Sequence, residues 1–251
     1  MKPGSTATAQ ASARRRTLTY TIIAIAGVLV VIAGVRFGLT LGPMGAAQDF
    51  CAAAQRGDYA SIYARMFAAE AQAQSDVATF TAAERLADQQ AGTVTGCDIS
   101  PLRVDGGWGS AVVHLTEHRA HGVDVAVALQ VSGSPWHITS IPDPAVFPLG
   151  TARAFCDDLT RQDYAAAYHL LALSITTALT AENFAKAEQL FDQNGGVVDT
   201  CNVTALTLNS ANTFAVASVQ VHRRQSGAGA IQIKITRQSG DSWRISSLPS
   251  A

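Results

Sequence analysis

The chain repeats itself, and that constrains its fold more than any other feature. FCAAAQRGDYASIY (Phe50 to Tyr63) laid over FCDDLTRQDYAAAY (Phe155 to Tyr168) matches Phe, Cys, Asp, Tyr and Tyr at a constant offset of 105 residues. The register continues at offset 104 through Phe80/Phe184, Leu86/Leu190, Gly92/Gly196, Cys97/Cys201, His118/His222 and Arg119/Arg223. It then runs at offset 107 through Gly133/Gly240, Trp136/Trp243 and Ile138/Ile245. A shared order of landmarks over about 100 residues implies one folding unit used twice. The expected domains are residues 45–143 and 150–250. The residues between them, 144–149, are expected to be a semi-rigid extended spacer because Pro142, Pro144 and Pro148 cluster there.

Each copy opens with helical periodicity and closes with strand periodicity. Asp58 and Asp163 stand before apolar stripes at i, i+3, i+4 and i+7 (Tyr59, Ile62, Tyr63, Met66; Tyr164, Ala167, Tyr168, Leu171), as N-caps do. A helix before each carries Phe50 or Phe155. A helix after it carries Phe80, Ala83 and Leu86, or Phe184, Ala187, Leu190 and Phe191, and ends at Gly92 or Gly196. From there side chains alternate, as in Val112 to Glu117 and in VASVQVH, and each copy finishes on WHITSI or WRISSL. The fold class is α+β: in each copy three helices pack on one face of a four-stranded, mostly antiparallel sheet.

Thr17 to Val35 (TLTYTIIAIAGVLVVIAGV) carries no charge over about the 20 residues that cross a bilayer core, so a transmembrane helix is expected there. Lys2, Arg14, Arg15 and Arg16 precede it and only Arg36 follows closely. This places residues 1–16 as a cytoplasmic tail and the rest outside the cytoplasm. The competing reading is a cleaved signal peptide, whose apolar region is shorter and is followed at once by a small-residue site. Charged residues are 15% of the chain and net charge is −1, which argues against a nucleic-acid partner. The expected partners are the membrane, through one helix, and envelope proteins or another copy of the chain.

Four cysteines allow three pairings. The duplication selects Cys51 with Cys97 and Cys156 with Cys201, the set that leaves each copy closed on itself. Loops of about 45 residues would give roughly 4 kcal/mol each in the chain-entropy model. Such bonds persist in an oxidising compartment, in agreement with the topology.

D-Y-x-x-x-Y on the second helix (Asp58 to Tyr63, Asp163 to Tyr168) and W-x-I at the end (Trp136 to Ile138, Trp243 to Ile245), behind three helices and before or within a curved sheet, resemble the nuclear-transport-factor-like or SnoaL-like superfamily across both copies. The resemblance implies a cone with a pocket between sheet and helices. It does not imply an activity, because members include isomerases, dehydratases, hydrolases and non-catalytic binding modules. An anchored chain with such domains outside the cytoplasm also resembles inner-membrane scaffold subunits of secretion and conjugation channels.

Site chemistry is sparse, and no catalytic residue can be assigned. His114-Leu115-Thr116-Glu117-His118 matches the H-x-x-E-H pattern of inverted zinc peptidases, but on a strand it splits its ligands between two faces. No metal and no cofactor are expected. The ligand-pocket candidates are His118, Arg119, His222 and Arg223, the polar dipeptide kept in both copies, together with Tyr63 and Tyr168. The function expected is that of an extracytoplasmic, non-enzymatic binding or scaffold protein. A small-ligand binder or SnoaL-like enzyme using the cone pocket, and a channel subunit, are the alternatives.

Overall fold

In the computed structural model, which describes residues 42–119, 123–131, 136–240 and 242–248, each change of sequence period marks a set of helices giving way to an antiparallel sheet. Met1–Gly45 and Ala46–Ala251 are separate units. The tail at 1–16 and the expected transmembrane helix at 17–35 lie outside the described residues. Among the described residues no helix is long and apolar enough to cross a membrane.

In the first half the backbone is helical over 42–55 (α1). Tyr59–Ser61 (α2) runs into a π-helical turn at Ile62–Met66, and Ala69–Gln72 (α3) and Val77–Ala91 (α4) follow. The Asp58 carboxylate accepts from Ser61 N–H and that of Asp76 from Thr79 N–H, so both are N-caps. Gly92 ends α4 at φ +90°, where a Cβ would stand 2.9 Å from the Cβ of His118; only glycine lets the helix end pass this close to the strand.

The first sheet comprises Val94–Ile99 (β1), Arg103–Asp105 (β2), Trp108–Glu117 (β3), Val123–Val131 (β4) and Trp136–Ile138 (β5), in the order β1-β3-β4-β5. The fifth strand, beyond the four expected, is β2. It pairs with Trp108 to Ser110 through a tight turn at Gly106.

The second half repeats this order with Val146–Thr160 (α5), Tyr164–His169 (α6), Leu173–Thr176 (α7) and Ala181–Gly195 (α8). Its sheet is Val198–Leu208 (β6), Phe214–Arg223 (β7), Gly227–Arg237 (β8) and Trp243–Ser247 (β9), antiparallel in that order. Asp163 caps α6 by accepting from Ala166 N–H, and Thr180 caps α8 through Asn183 N–H. The chain is thus α+β with antiparallel sheets.

Residues 144–149 are not an extended spacer. The helix α5 begins at Val146, and Pro148 falls in its first turn, where the missing N–H has no intrahelical acceptor to lose. Val146 and Leu149 are buried (0% and 2% exposed), and this burial outweighs the extended preference of the prolines.

Cys51–Cys97 ties α1 to β1 and Cys156–Cys201 ties α5 to β6, with Cα atoms 5.7 and 5.1 Å apart. One continuous apolar cluster runs from Phe50, Phe80, Val113 and Ile138 through Ile141, Val146 and Leu149 to Phe155, Ile233 and Ile245. The isoleucine of each W-x-I motif is buried in that cluster. Each also receives a parallel bridge, from Phe67 to Ile138 and from Leu171 to Ile245.

Leu86 and Leu190, matched in sequence as core positions, differ: Leu86 is 8% exposed and Leu190 57%. The face of α4 that carries Leu86 packs on α5 and β6, whereas the matching face of α8 is left open.

Candidate functional site: two unlike mouths between helix and sheet

Inward alternation on the central strands brings the site residues together. On β7, Ala215, Ala217, Val219, Val221 and Arg223 point toward the helices, and on β3 Ala111, Val113, Leu115 and Glu117 do so. On α8, Glu188 and Asp192 are one turn apart and face β7. Glu84 and Asp88 hold the matching places on α4.

In the second half a cavity of about 490 Å³ opens between α5, α8, β7 and β8. Its walls are largely apolar (Phe155, Leu159, Phe184, Phe191, Val221 and Ile231), with Glu188 and Arg223 as its charged lining. Arg223 satisfies both acids. Its Nη1 donates to Asp192 Oδ1 at 2.5 Å and to the Gly196 carbonyl at 3.2 Å, and its Nη2 donates to Glu188 Oε2 at 3.3 Å. The three side chains are 17%, 13% and 15% exposed, so this is a mostly desolvated trio. The Tyr164 hydroxyl donates to the other oxygen of Asp192, and the Phe191 ring lies 5.8 Å from the guanidinium. Burial raises the pKa of Glu188, while Arg223 pulls it back down.

The first half has the same frame with the opposite electrostatics. The Tyr59 hydroxyl donates to Asp88 Oδ2 at 2.8 Å, the counterpart of Tyr164 and Asp192. Glu84, Glu117 and Asp143 join Asp88. Among the described residues no cation pairs with any of the four. Desolvation and then the other three carboxylates push Glu84 well above the ordinary carboxylate range. Asp88, Glu117 and Asp143 are raised as well, chiefly by burial. The Tyr59 hydroxyl on Asp88 and the Ala145 N–H on Asp143 partly offset this. Burial and Asp88 likewise raise Tyr59, so its hydroxyl stays protonated and donates.

Of the six pocket candidates taken from sequence, Arg223 lines the cavity of the second half. His222 is exposed on the outward register of β7, and His118 is exposed just past the end of β3. Arg119 lies past the end of β3 and donates to the Gln89 carbonyl at 3.3 Å. The Tyr63 hydroxyl donates to the carbonyls of Gln72 and Ser75, and the Tyr168 hydroxyl to those of Thr176 and Leu179, so both tie down the loop after the short helix. His114 Nδ1 lies 2.5 Å from Asp124 Oδ1 on the outer sheet face. Among the described residues no group of three His, Cys, Asp or Glu side chains is placed to hold a metal.

Sequence reasoning missed the acids of α4 and α8. The signal was E-x-x-x-D, Glu84 to Asp88 and Glu188 to Asp192, kept at the same offset of 104 residues as Phe80 and Phe184.

No family model matches the chain, and no curated protein matches it. Among solved structures, one described as an NTF2-like transpeptidase from Campylobacter jejuni is similar to it. The match has 14% identity and a TM-score of 0.31 and covers 37% of this chain and 91% of that one.

Proposed function

We propose that this chain is a membrane-anchored, extracytoplasmic, non-enzymatic binding protein made of two tandem nuclear-transport-factor-like cones, the second of which takes a small, largely apolar ligand. The observation that carries the reading is the cavity of about 490 Å³ in the second half, with apolar walls and charged groups already satisfied by one another. A site of this size and lining suits an apolar body with a single polar tip. An acid or base held in a mutual ion pair supports binding over proton transfer. The tandem reading is supported by the matched element order, the matched caps and one disulfide per half. The anchor is supported by the uncharged stretch from Thr17 to Val35 and the arginines before it. Leu173 and Leu190 are 73% and 57% exposed in the second half, which favours an envelope protein or a second copy as a further partner.

The test is titration of residues 42–251 with the fluorescent apolar anion 1-anilinonaphthalene-8-sulfonate. Saturable enhancement at one site is expected, and it should disappear in Ala187→Trp, whose indole fills the cavity. Absence of saturable binding, or binding unchanged by the tryptophan, overturns the reading.

A further inference from the structure

A second cavity, of about 560 Å³, lies at the junction of the two halves, away from both mouths. One wall is a face of α4, another a face of α5, and the Cys156–Cys201 bond with Asn202 and Val203 of β6 completes it. We infer that this junction cavity binds a ligand headed by an oxyanion, a carboxylate or a phosphate, held between Arg85 of α4 and Arg153 of α5.

The arginines carry the argument. Arg161, Arg223 and Arg224 each face a carboxylate within ion-pair distance, but neither Arg85 nor Arg153 does among the described residues. Arg153 donates from Nη1 to the Ala78 carbonyl at 2.8 Å, which fixes its side chain across the junction along the cavity wall, where its charge also acts on Asp76. Guanidinium groups present a planar fork that matches carboxylate and phosphate oxygens. On the same wall the Thr81 hydroxyl is buried with no hydrogen-bond partner, so an unsatisfied polar group stands beside the cavity. The Gln89 and Asn202 amides line the same space and can hold a polar tail. Asp157, one turn beyond Arg153 on α5, also lines it and has no cation within ion-pair distance among the described residues. It reduces the net positive charge and selects against polyanions.

The experiment uses the full-length chain in non-ionic detergent and follows tryptophan fluorescence on heating, with inorganic phosphate and with succinate as probes and sodium chloride at matched ionic strength as control. A saturable rise in melting temperature with either probe, absent with chloride, is expected, and the probe that acts separates a phosphate source from a carboxylate source. Arg85→Ala, at an exposed position, should melt like the parent without probe and weaken binding about tenfold or more. Asp157→Asn should tighten it. No saturable shift with either probe, or a shift that Arg85→Ala leaves unchanged, overturns the inference.

Discussion

Replacing Arg223 with methionine tests the electrostatics of the second mouth most directly. Methionine keeps most of the apolar stem, so the loss is chiefly that of the guanidinium. Glu188 and Asp192, 15% and 13% exposed, would be left without a cation. Removing one partner from a buried ion pair costs about 3–5 kcal/mol because the remaining charge is desolvated and unpaired. The Tyr164 hydroxyl still donates to Asp192 and some solvent still reaches the acids, so the lower end, about 3 kcal/mol at pH 7.5, is expected.

The sign of the pH dependence follows from the same geometry. Burial already raises the pKa of Glu188, and losing Arg223 removes the influence that lowers it. A folded-state pKa above the unfolded one favours the protonated folded form. The deficit is therefore full above the raised pKa and shrinks as pH falls through it toward the ordinary carboxylate range. Urea denaturation at pH 7.5 and at pH 5, followed by circular dichroism with slopes compared, measures both effects. Adding Glu188→Gln and Asp192→Asn to the Arg223→Met variant should restore most of the loss at pH 7.5. A deficit below about 0.5 kcal/mol that does not change with pH, the size typical of an ordinary surface substitution, would show that the trio is solvated and would refute the reasoning.

In the first mouth all four carboxylates have raised pKa values, so the wild-type melting temperature should climb as pH falls from neutral toward 5. Calorimetry should show Glu84→Gln melting roughly 2–4 °C higher than wild type at pH 7.5, about 1 kcal/mol for a unit of this size, with a weaker pH slope. Peptide mapping without reductant should return Cys51–Cys97 and Cys156–Cys201. Removing either bond as a cysteine-to-alanine pair should lower stability by about 2–4 kcal/mol in denaturant titrations. His114→Ala with His118→Ala should change neither the zinc content by elemental analysis nor the melting temperature, and chelator should leave that temperature unchanged, since His114, Glu117 and His118 do not converge.

Much of the fold was legible because landmarks matched between two stretches of the sequence turn weak local signals into paired ones. A cap at Asp58 is a guess, whereas caps at both Asp58 and Asp163 before the same tyrosines form a pattern, and both carboxylates do accept from the helix. The cysteine pairing and the glycine helix ends were legible for the same reason. Burial was less so, because sequence matching assumes that matched residues meet matched surroundings. Leu86 is covered because α5 and β6 pack on α4, whereas the matching face of α8, with Leu190, stays open. The start of α5 was obscured by three prolines, whose local preference yielded to the burial of Val146 and Leu149.

The candidate site was hardest to read because its character depends on where a hydrogen-bonded ladder stops. The dipeptides His118-Arg119 and His222-Arg223 are identical. β7 remains paired through Arg223, opposite Val198 and Gly227, so the alternation that turns Val219 and Val221 inward turns the guanidinium inward too. β3 ends at Glu117, two residues before Arg119. The last inward position of the first half is therefore an acid, and its arginine lies outside the ladder on the Gln89 carbonyl. With Glu84/Glu188 and Asp88/Asp192 held in common, that two-residue shift in register, which sets Glu117 opposite Val94 where Arg223 stands opposite Val198, separates a mouth whose acids are neutralised from one whose acids accumulate. A one-residue change in register would move every one of these side chains to the opposite face, so the charge of each mouth is fixed by strand pairing as much as by composition.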